Sequence, residues 1–485
     1  MHHCRSHARH AYARRAYNCV AVVVRQFTMV VVLATLPTVA FGQASPYRLP
    51  SDGTLDSLIA EALAARAELG ASEADIRAEE AQVPQAGAFP DPTLQLGIQN
   101  DGFSSIQIGT METSFLSIMA SQTFPWPGKR QLRSDIASLE VKSAERANDK
   151  LRLAIEASVR QLYVSLLLVR DQLLLLEKLT ALWGKSAETA RTVYEAGSGA
   201  QSDILRAQLE LSRMKQRKIA LAAQETTIVQ NLNRLRGRPL ADAIATTATL
   251  SSLGLPPLYD KKDALADATR KSPDIAATQI EYDRAQKAKA LAKKGSLPDV
   301  TISAGVMPRG DLPPMWLLTV SAPIPIFAGR KQAQAVKESQ ARAEAAQATQ
   351  LAIEQQLALR IAERHTALQA LLASIDLYDK GLLVQSRATA ESTLSQYRVG
   401  KASFASVLDA NAGVLADEAA YLAMVAEAHR LLIAANEVSL APMAVSSGVG
   451  PGAAMPTSGV ASGAATVRPG EQSGGTQAPP MTGGM

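Results

Sequence analysis

The chain has 485 residues, and its excess of positive charge is concentrated near the N-terminus. Residues 1–42 carry five arginines and no acidic residue, so the rest of the chain holds 45 basic and 45 acidic residues. A formally neutral chain lacks the basic surface with which proteins bind nucleic acid. Both cysteines and four of the six histidines also lie in this region, which leaves only His365 and His429. We therefore expect no disulfide, metal site, cofactor or enzymatic activity in the rest of the protein.

Residues 1–42 have the pattern of a secretory signal peptide. Arg14, Arg15 and Arg25 precede an apolar run from Met29 to Phe41, which ends in small residues suited to cleavage. This run is shorter than the roughly 20 apolar residues that a transmembrane helix needs. No cysteine follows the run, so the sequence predicts export from the cytoplasm without a lipid anchor.

Residues 43–240 predict a helix, a β-hairpin, one very long helix and a further helix, in that order. The segment TLQLGIQ, which begins at Thr93, alternates polar and apolar residues as a strand does. No proline occurs between Gly128 and Gly197, and apolar residues recur there at intervals of seven, as in a coiled coil: Ile155, Leu162, Val169, Leu176 and Trp183. About 70 helical residues extend about 100 Å, which is too long for an ordinary globular domain. The predicted bounds are 92–124 for the hairpin, 128–196 for the long helix and 202–236 for the last helix.

Residues 241–260 predict a link that contains prolines, and a second half with the same order of elements follows it. This second half, residues 261–444, begins with a helical segment that ends at Lys294. Its two strands are predicted on either side of a loop at Pro308–Pro314, where prolines and a glycine cluster. The predicted bounds are 299–326 for the hairpin, 329–399 for the long helix and 403–440 for the last helix. Residues 445–485, which are rich in Gly, Ser, Ala, Pro and Thr, are predicted to be disordered.

Three landmarks recur in the two halves at nearly constant spacing. A Pro-Asp pair precedes each hairpin, at Pro90 and, 208 residues later, at Pro298. A junction of prolines, a glycine and basic residues follows each hairpin, FPWPGKR from Phe124 and IPIFAGRK about 200 residues later. A Tyr-x-x-Gly turn follows each long helix, at Tyr194 and, 203 residues later, at Tyr397. A repeat of this length predicts one architecture built twice with pseudo-symmetry.

The four predicted strands leave two interpretations open. Alternation with a period of two is typical of a membrane β-barrel, with apolar residues outside and polar residues inside, and also of a half-buried sheet on a soluble domain. A closed barrel needs about eight strands or more. Either the sheet is open, or several chains complete one barrel. In the second case the polar positions of the strands line the lumen: Thr93, Gln95, Gln99, Thr301 and Ser303.

The duplicated order of elements, the FPWPGKR junction and the Tyr-x-x-Gly turns together resemble the TolC-like outer-membrane efflux proteins, over about residues 51–440. The resemblance implies a mainly α fold with a membrane β-barrel portion. Each chain of a homotrimer contributes four strands to a shared barrel in the outer membrane, which a long α-helical coiled-coil barrel continues through the periplasm. The implied function is the outer-membrane channel of a tripartite efflux system, a passive exit duct for drugs or heavy-metal ions. The implied partners are a periplasmic adaptor protein, an inner-membrane pump, with the resistance-nodulation-division type favoured, and outer-membrane lipid.

The resemblance also assigns roles to particular residues. Ser202, Asp203, Tyr397, Ser406 and Asp409 match positions of the family's gate at the periplasmic tip, where the turns at Gly197 and Gly400 lie. The strand–helix junctions at the inner edge of the outer membrane comprise Pro125, Pro127, Gly128 and Lys129 in the first half and Pro325, Gly329 and Arg330 in the second. The sequence departs from the best-known gate because Ala402 replaces a basic residue and Ser406 an acidic one, so one ion pair of the usual salt-bridge lock has lost both members. Asp203 is also a reasonable N-cap of the helix after the turn.

Two other functions remain open at the level of sequence. The same fold serves type I protein secretion, and the sequence does not discriminate this role from efflux. A periplasmic coiled-coil adaptor or scaffold without a barrel also fits the long helices, although the paired alternating hairpins disfavour it.

Overall fold

The computed structural model describes residues 52–438, so the predicted signal peptide at 1–42 and the predicted disordered tail at 445–485 lie outside the described residues. In residues 52–438 the chain forms mainly helices, with one small sheet inserted between them. The elements are α1 Gly53–Ala65, α2 Ala67–Gly87, β1 Thr93–Gln99, β2 Phe115–Phe124, α3 Lys129–Glu195, α4 Gln201–Leu235, α5 Lys261–Lys271, α6 Pro273–Lys294, β3 Val300–Arg309, β4 Leu312–Ser321, α7 Gln332–Leu377, α8 Leu383–Arg398 and α9 Phe404–Glu437.

The four strands form one antiparallel sheet in the order β1-β2-β3-β4, so β1 and β4 are its open edges. Because side chains alternate between the two faces of a sheet, the register decides which residues share a face. One row of facing residues is polar throughout, Thr93, Ser121, Ser303 and Thr319. The next row is apolar throughout, Leu94, Ala120, Ala304 and Leu318. The predicted mainly α fold with four alternating strands is therefore confirmed.

On the polar face of the sheet, hydroxyl groups of β2 and β3 contact one another. Ser121 donates to Ser303 across the β2–β3 pair at 2.8 Å, and the hydroxyls of Thr123 and Thr301 lie 2.9 Å apart. The apolar face is open: Leu94 and Leu96 are both 70% exposed. Such a sheet has one face suited to water and one face that a single chain leaves uncovered.

The 67-residue helix α3 is the longest element, and at ~1.5 Å per residue it extends about 100 Å. The predicted seven-residue spacing corresponds to its buried side, since Ile155, Val169, Leu176 and Trp183 are all buried. Along its length α3 packs against α1, α2, α4, α6 and α9. Helix α7 packs against α6 and α9 in the same way, which gives the two halves equivalent arrangements.

The link after α4 is anchored to the middle of α3. Arg170 donates to the carbonyl of Ile244 at 2.7 Å and forms an ion pair with Glu225 of α4 at 2.7 Å. The next residue, Asp171, accepts a hydrogen bond from the backbone N–H of Leu250 at 3.0 Å. Burial raises the pKa of Asp171 even though that hydrogen bond lowers it. Hydrogen bonds thus fix the link against the middle of α3.

The hairpin of the second half differs from the predicted loop at Pro308–Pro314. Pro308 lies in β3, and Pro313 and Pro314 lie in β4; only Gly310 and Asp311 connect the strands. The register shifts between Met307 and Arg309, so these prolines fall at a bulge beside an edge strand. A proline is tolerated there because its missing N–H removes no ladder hydrogen bond. The prolines therefore mark an irregularity in the ladder and do not end it.

Three predicted helices are interrupted in the structure. The helix before the first hairpin breaks at Arg66, whose backbone is extended with ψ 115°. The segment 261–294 breaks at Ser272, which is extended with ψ 119° because the ring of Pro273 disfavours helical backbone in the residue before it. The predicted helix 329–399 begins only at Gln332, after a series of turns, and is interrupted at Tyr378–Leu382 by one π-helical segment that contains Gly381. A single added residue in a helix produces such a π-bulge.

Candidate functional site: the helical tip and the strand–helix junctions

The turns at Gly197 and Gly400 have the same geometry. Both glycines have a positive φ, 74° and 70°, which a glycine adopts without the steric cost that a side chain would add. After Gly197, Ser198 donates its N–H to the carbonyl of Val193 at 3.1 Å, and after Gly400, Lys401 donates to that of Gln396 at 2.8 Å. These are Schellman motifs, which satisfy the last carbonyls of a helix and reverse the chain. Residues that flank the two turns share one buried cluster, which contains Ala190, Ala207, Tyr397 and Phe404, so the turns lie at the same end of the helical part.

The two predicted gate residues Tyr397 and Asp203 are in contact at this end. The Tyr397 hydroxyl donates to Oδ2 of Asp203 at 3.1 Å, across 194 residues of sequence. Burial, together with the charge of Asp203, raises the pKa of Tyr397 to about 12. The Tyr397 ring packs on Phe404 with centroids 5.2 Å apart. We name the surrounding buried group, formed by Ala190, Ala207, Tyr397, Phe404 and Val407, the tip cluster.

The other predicted gate residues do not join this contact within one chain. Ser202 is exposed in the first turn of α4, whose N-cap residue is Ala200, so Asp203 is not the helix cap that its position allowed. Ser406 is exposed, and its backbone N–H donates to the hydroxyl of Ser403, the N-cap of α9. Asp409 is exposed one turn further along α9. The structure thus brings together Tyr397 and Asp203 and leaves Ser202, Ser406 and Asp409 on the surface.

Sequence reasoning missed Phe404 and the buried polar contact behind it. Phe404 is the first residue of α9 and only 2% exposed, and it closes the tip cluster against Tyr397. One helical layer further, the Asn411 side chain donates to the Ser186 hydroxyl at 3.1 Å, with both residues buried. The recurrence of Phe404, Val407, Asn411 and Val414 at helical spacing on one face of α9 is the signal that could have found them.

The first strand–helix junction is a compact polar contact between the two halves. Lys129, only 7% exposed, forms an ion pair with Asp299 at 2.7 Å and donates to the carbonyl of Leu297 at 2.7 Å. The same Asp299 oxygen accepts the backbone N–H of Trp126 at 2.8 Å. Burial acts to raise the pKa of Asp299, but these hydrogen bonds outweigh it and the pKa lies below its usual value. Gly128, at φ 84°, leaves room for the Lys294 amine, which a Cβ atom would approach to 2.8 Å.

Arg130, the residue after Lys129, connects the first junction to the first half of the chain. Arg130 donates to the carbonyl of Gly87 at 2.7 Å, and its guanidinium lies 3.5 Å from the centre of the Phe89 ring. Pro125 is buried and Pro127 is exposed, and both precede the first turn of α3. In the second junction Pro325 is half-buried, whereas Gly329 and Arg330 are exposed and no second half of the chain covers them.

The tip and the junctions lie at opposite ends of α3, about 100 Å apart. The predicted site residues therefore form two separate groups rather than one pocket. Among residues 52–438 no three His, Cys, Asp or Glu side chains are grouped as metal ligands would be. In the same part of the chain, no helix is both long and apolar enough to cross a membrane.

Replacing Tyr397 with phenylalanine should weaken the tip without unfolding the chain. The change removes one hydrogen bond to a charged group, which contributes about 1.5–3 kcal/mol when sheltered from water. Because the folded-state pKa of about 12 lies above the unfolded value near 10, the stability from this group is complete below pH 10 and is lost as the pH rises toward 12. The tip turns should be cleaved by protease faster in the variant than in the unmodified protein, and the ratio of the two rates should be the same at pH 7 and at pH 9. A ratio that differs between these pH values would contradict the assignment.

The chain is similar to known outer-membrane proteins over most of its length. The model of the family "Outer membrane efflux protein" matches residues 58–238 and 264–435. The cobalt-zinc-cadmium resistance protein CzcC of Cupriavidus metallidurans is 22% identical over 381 residues, which cover 78% of this chain and 87% of CzcC. The pyoverdine export outer membrane protein OpmQ of Pseudomonas putida is 27% identical over 290 residues, 55% of this chain and 60% of OpmQ. The crystal structure of the outer membrane protein VceC of Vibrio cholerae superposes with a TM-score of 0.66 at 19% identity, over 80% of this chain and 96% of VceC.

A four-stranded sheet that leads into helices about 100 Å long is the architecture of a TolC-like outer-membrane channel subunit. The chain belongs to the outer membrane efflux protein family. It is an outer-membrane channel component of an efflux system, and the alternative of a periplasmic adaptor or scaffold is not supported.

Proposed function

We propose that three copies of this chain form a passive exit duct, which receives substrate from an inner-membrane pump through a periplasmic adaptor protein. The observation that carries the proposal is the sheet, which has four strands, two open edges, one polar face and one apolar face. Unpaired edge groups are not tolerated in lipid, because no water is present to satisfy them. Three copies placed edge to edge close the ring, with the apolar faces toward lipid and the polar faces toward the lumen.

The first test of this proposal is the mass of the assembly in mild detergent. We expect a homotrimer with no stable monomer, since a monomer leaves both sheet edges and the side chains of Leu94 and Leu96 uncovered. Native mass spectrometry of the purified protein measures this directly. A monomer that inserts into membranes and conducts ions would exclude the trimeric duct.

The proposal also assigns the position of the chain in the cell envelope. Residues 1–42 direct export, no lipid anchor follows, and the junctions at Lys129 and Arg330 lie at the inner edge of the outer membrane. In this proposal the chain has two halves, 43–240 and 261–444, joined by the link at 241–260. The turn of each half, at Gly197 and at Gly400, lies at the periplasmic tip. Energy is supplied by the pump, for which we favour the resistance-nodulation-division type.

The proposed lumen does not select its substrate. The face of the sheet that lines the proposed lumen carries uncharged hydroxyl and amide groups at Thr93, Gln95, Ser303 and Thr319. The substrate is then set by the pump, and the similarity to CzcC makes divalent metal ions the first class to test. A deletion strain should become sensitive to cobalt, zinc or cadmium and should recover when the gene is restored. Unchanged tolerance to these metals, with new sensitivity to organic drugs, would assign the duct to a drug pump instead.

The tip should prefer cations, because Asp203 and Asp409 each recur three times around the proposed constriction. Asp203 is half-buried beside Tyr397, and Asp409 is exposed on α9. In the double variant Asp203→Ala plus Asp409→Ala, we expect planar-bilayer recordings under a salt gradient to lose their cation-selective reversal potential. The variant Glu391→Ala, which removes an exposed carboxylate from the adjacent helix α8, serves as the control. A reversal potential that both variants leave unchanged would show that neither aspartate forms the constriction.

A further inference from the structure

The junction between β2 and α3 is a contact between the first and second halves of one chain. Lys129 follows β2, and its partner Asp299 precedes β3, the strand that pairs with β2. The contact therefore joins two neighbouring strands at the end where both meet the helices. One partner, Lys129, directly follows Gly128 of the first junction. The other partner, Asp299, belongs to the second Pro-Asp pair, Pro298-Asp299.

Each part of this contact has a counterpart elsewhere in the chain. The segment Gly295-Ser-Leu-Pro-Asp299 repeats Gly87-Ala-Phe-Pro-Asp91 at an offset of 208 residues. The glycine–basic pair Gly128-Lys129 is repeated by Gly329-Arg330. The counterpart of Lys129 is thus Arg330, and the counterpart of Asp299 is Asp91.

These two counterparts cannot meet within one chain, because Arg330 follows the edge strand β4 and Asp91 precedes the opposite edge strand β1. Both are exposed, and within residues 52–438 neither side chain takes part in a hydrogen bond or an ion pair. In a closed ring of subunits, however, β4 of one chain lies beside β1 of the next, in the same antiparallel sense as β2 beside β3. We propose that Arg330 of each subunit forms an ion pair with Asp91 of the neighbouring subunit, which repeats the Lys129–Asp299 contact across the subunit boundary.

The apolar residues of the two junctions support this assignment. In the first junction Phe124 and Trp126 are 42% and 38% exposed. Phe124 packs its ring on Phe89 and lies opposite Val300 of the second half, and Trp126 donates its backbone N–H to Asp299. Their counterparts Ile324 and Ile326 are 80% and 81% exposed. The second junction therefore presents an uncovered apolar surface beside an unpaired arginine, and the first half of a second copy supplies both an apolar surface and an aspartate.

The strand register is consistent with the same repeat. In the β2–β3 pair Phe124 lies opposite Val300. The equivalent register between β4 and β1 of the next subunit places Ser321 opposite Gln95 and Val320 opposite Leu96. At these two positions a polar residue meets a polar one and an apolar residue meets an apolar one, whereas a slip of one residue would exchange the two faces.

Charge reversal tests the pair, and the inference rests on the trimer proposed above. We expect Arg330→Asp and Asp91→Arg each to convert the detergent-solubilised trimer to monomer at a temperature that leaves the unmodified trimer intact. The combination of both changes should restore the trimer. Lys331→Asp is the matched control, because its counterpart Arg130 contacts its own half, and this change should leave the dissociation temperature unaltered. Helix content, measured by circular dichroism, shows whether each chain still folds.

Chemical cross-linking provides an independent measurement. The chain's own cysteines are Cys4 and Cys19, in the predicted signal peptide. A short bismaleimide reagent should link Asp91→Cys plus Arg330→Cys into dimers and trimers, whereas Lys129→Cys plus Asp299→Cys should link only within one chain. Single reversals that leave dissociation unchanged, or a double variant that stays as weak as the singles, would overturn the pair while the trimer stands. An unmodified protein that is monomeric would overturn the trimer itself.

Discussion

Replacing Lys129 with methionine is expected to produce the largest loss of stability of any single change at the junction. The Lys129 side chain is buried, and its amine forms an ion pair with Asp299 and donates a hydrogen bond to the carbonyl of Leu297. Methionine fills a similar volume but leaves the aspartate without its counter-charge, and breaking a buried pair in this way costs about 3–5 kcal/mol. Because the Asp299 side chain is 29% exposed, we expect a value near the lower end of that range. Thermal unfolding followed by circular dichroism, at matched trimer content, measures the loss.

The ion pair between Lys287 and Asp135 offers the control for this experiment. The Lys287 amine lies 2.8 Å from the Asp135 carboxylate, close to the 2.7 Å of the Lys129–Asp299 pair. The side chains of Lys287 and Asp135, however, are 46% and 26% exposed. Exposed pairs contribute only about 0–1 kcal/mol, so Lys287→Met should change the unfolding temperature little. The double variant Lys129→Met plus Asp299→Asn should recover part of the loss, since no buried charge then lacks a partner. Equal effects of Lys129→Met and Lys287→Met would contradict the assigned role of the junction.

At the other end of the molecule, truncation of Leu408 should open the duct more than loss of charge at Asp409. Leu408 packs against the tip cluster and also against the next apolar cluster, which contains Trp183 and Met214. Truncating a buried leucine to alanine costs about 2–5 kcal/mol, and a half-buried one falls at the lower end. Asp409 is exposed, and an exposed ion pair contributes about 0–1 kcal/mol. Apolar packing therefore has more influence on the tip than the charge of Asp409.

The ranking of these variants is measured by single-channel conductance and by sensitivity of cells to vancomycin. Leu408→Ala should raise both, while Asp409→Asn should leave both near the values of the unmodified protein. Leu205→Ala is a suitable control because Leu205 is 59% exposed on α4. Greater opening by Asp409→Asn, at matched expression and trimer content, would show that a charge lock closes the tip despite Ala402 and Ser406.

The sequence by itself was sufficient to predict those features that depend on local periodicity. The spacing of Ile155, Val169 and Trp183 predicted a helix of about 70 residues, because one buried side of a helix requires apolar residues at that interval. The glycines at 197 and 400 predicted the turns, since a positive φ favours glycine. The duplication predicted the two-fold order of elements, and the alternation of the strands predicted the two faces of the sheet. The prolines at 308, 313 and 314 misled the prediction because proline occurs both in loops and at bulges of edge strands.

Only the tertiary structure decided which distant residues meet. Lys129 and Asp299 are separated by 170 residues, and Tyr397 and Asp203 by 194, so no local pattern links either pair. These contacts depend on the register between β2 and β3 and on the way the helices pack, both of which are set by the whole chain. The same holds for Asp203, which local sequence rules make a candidate helix cap but which instead accepts the Tyr397 hydroxyl in the folded tip. Side-chain chemistry can be assigned from the sequence, whereas the partner of each group is a property of the fold.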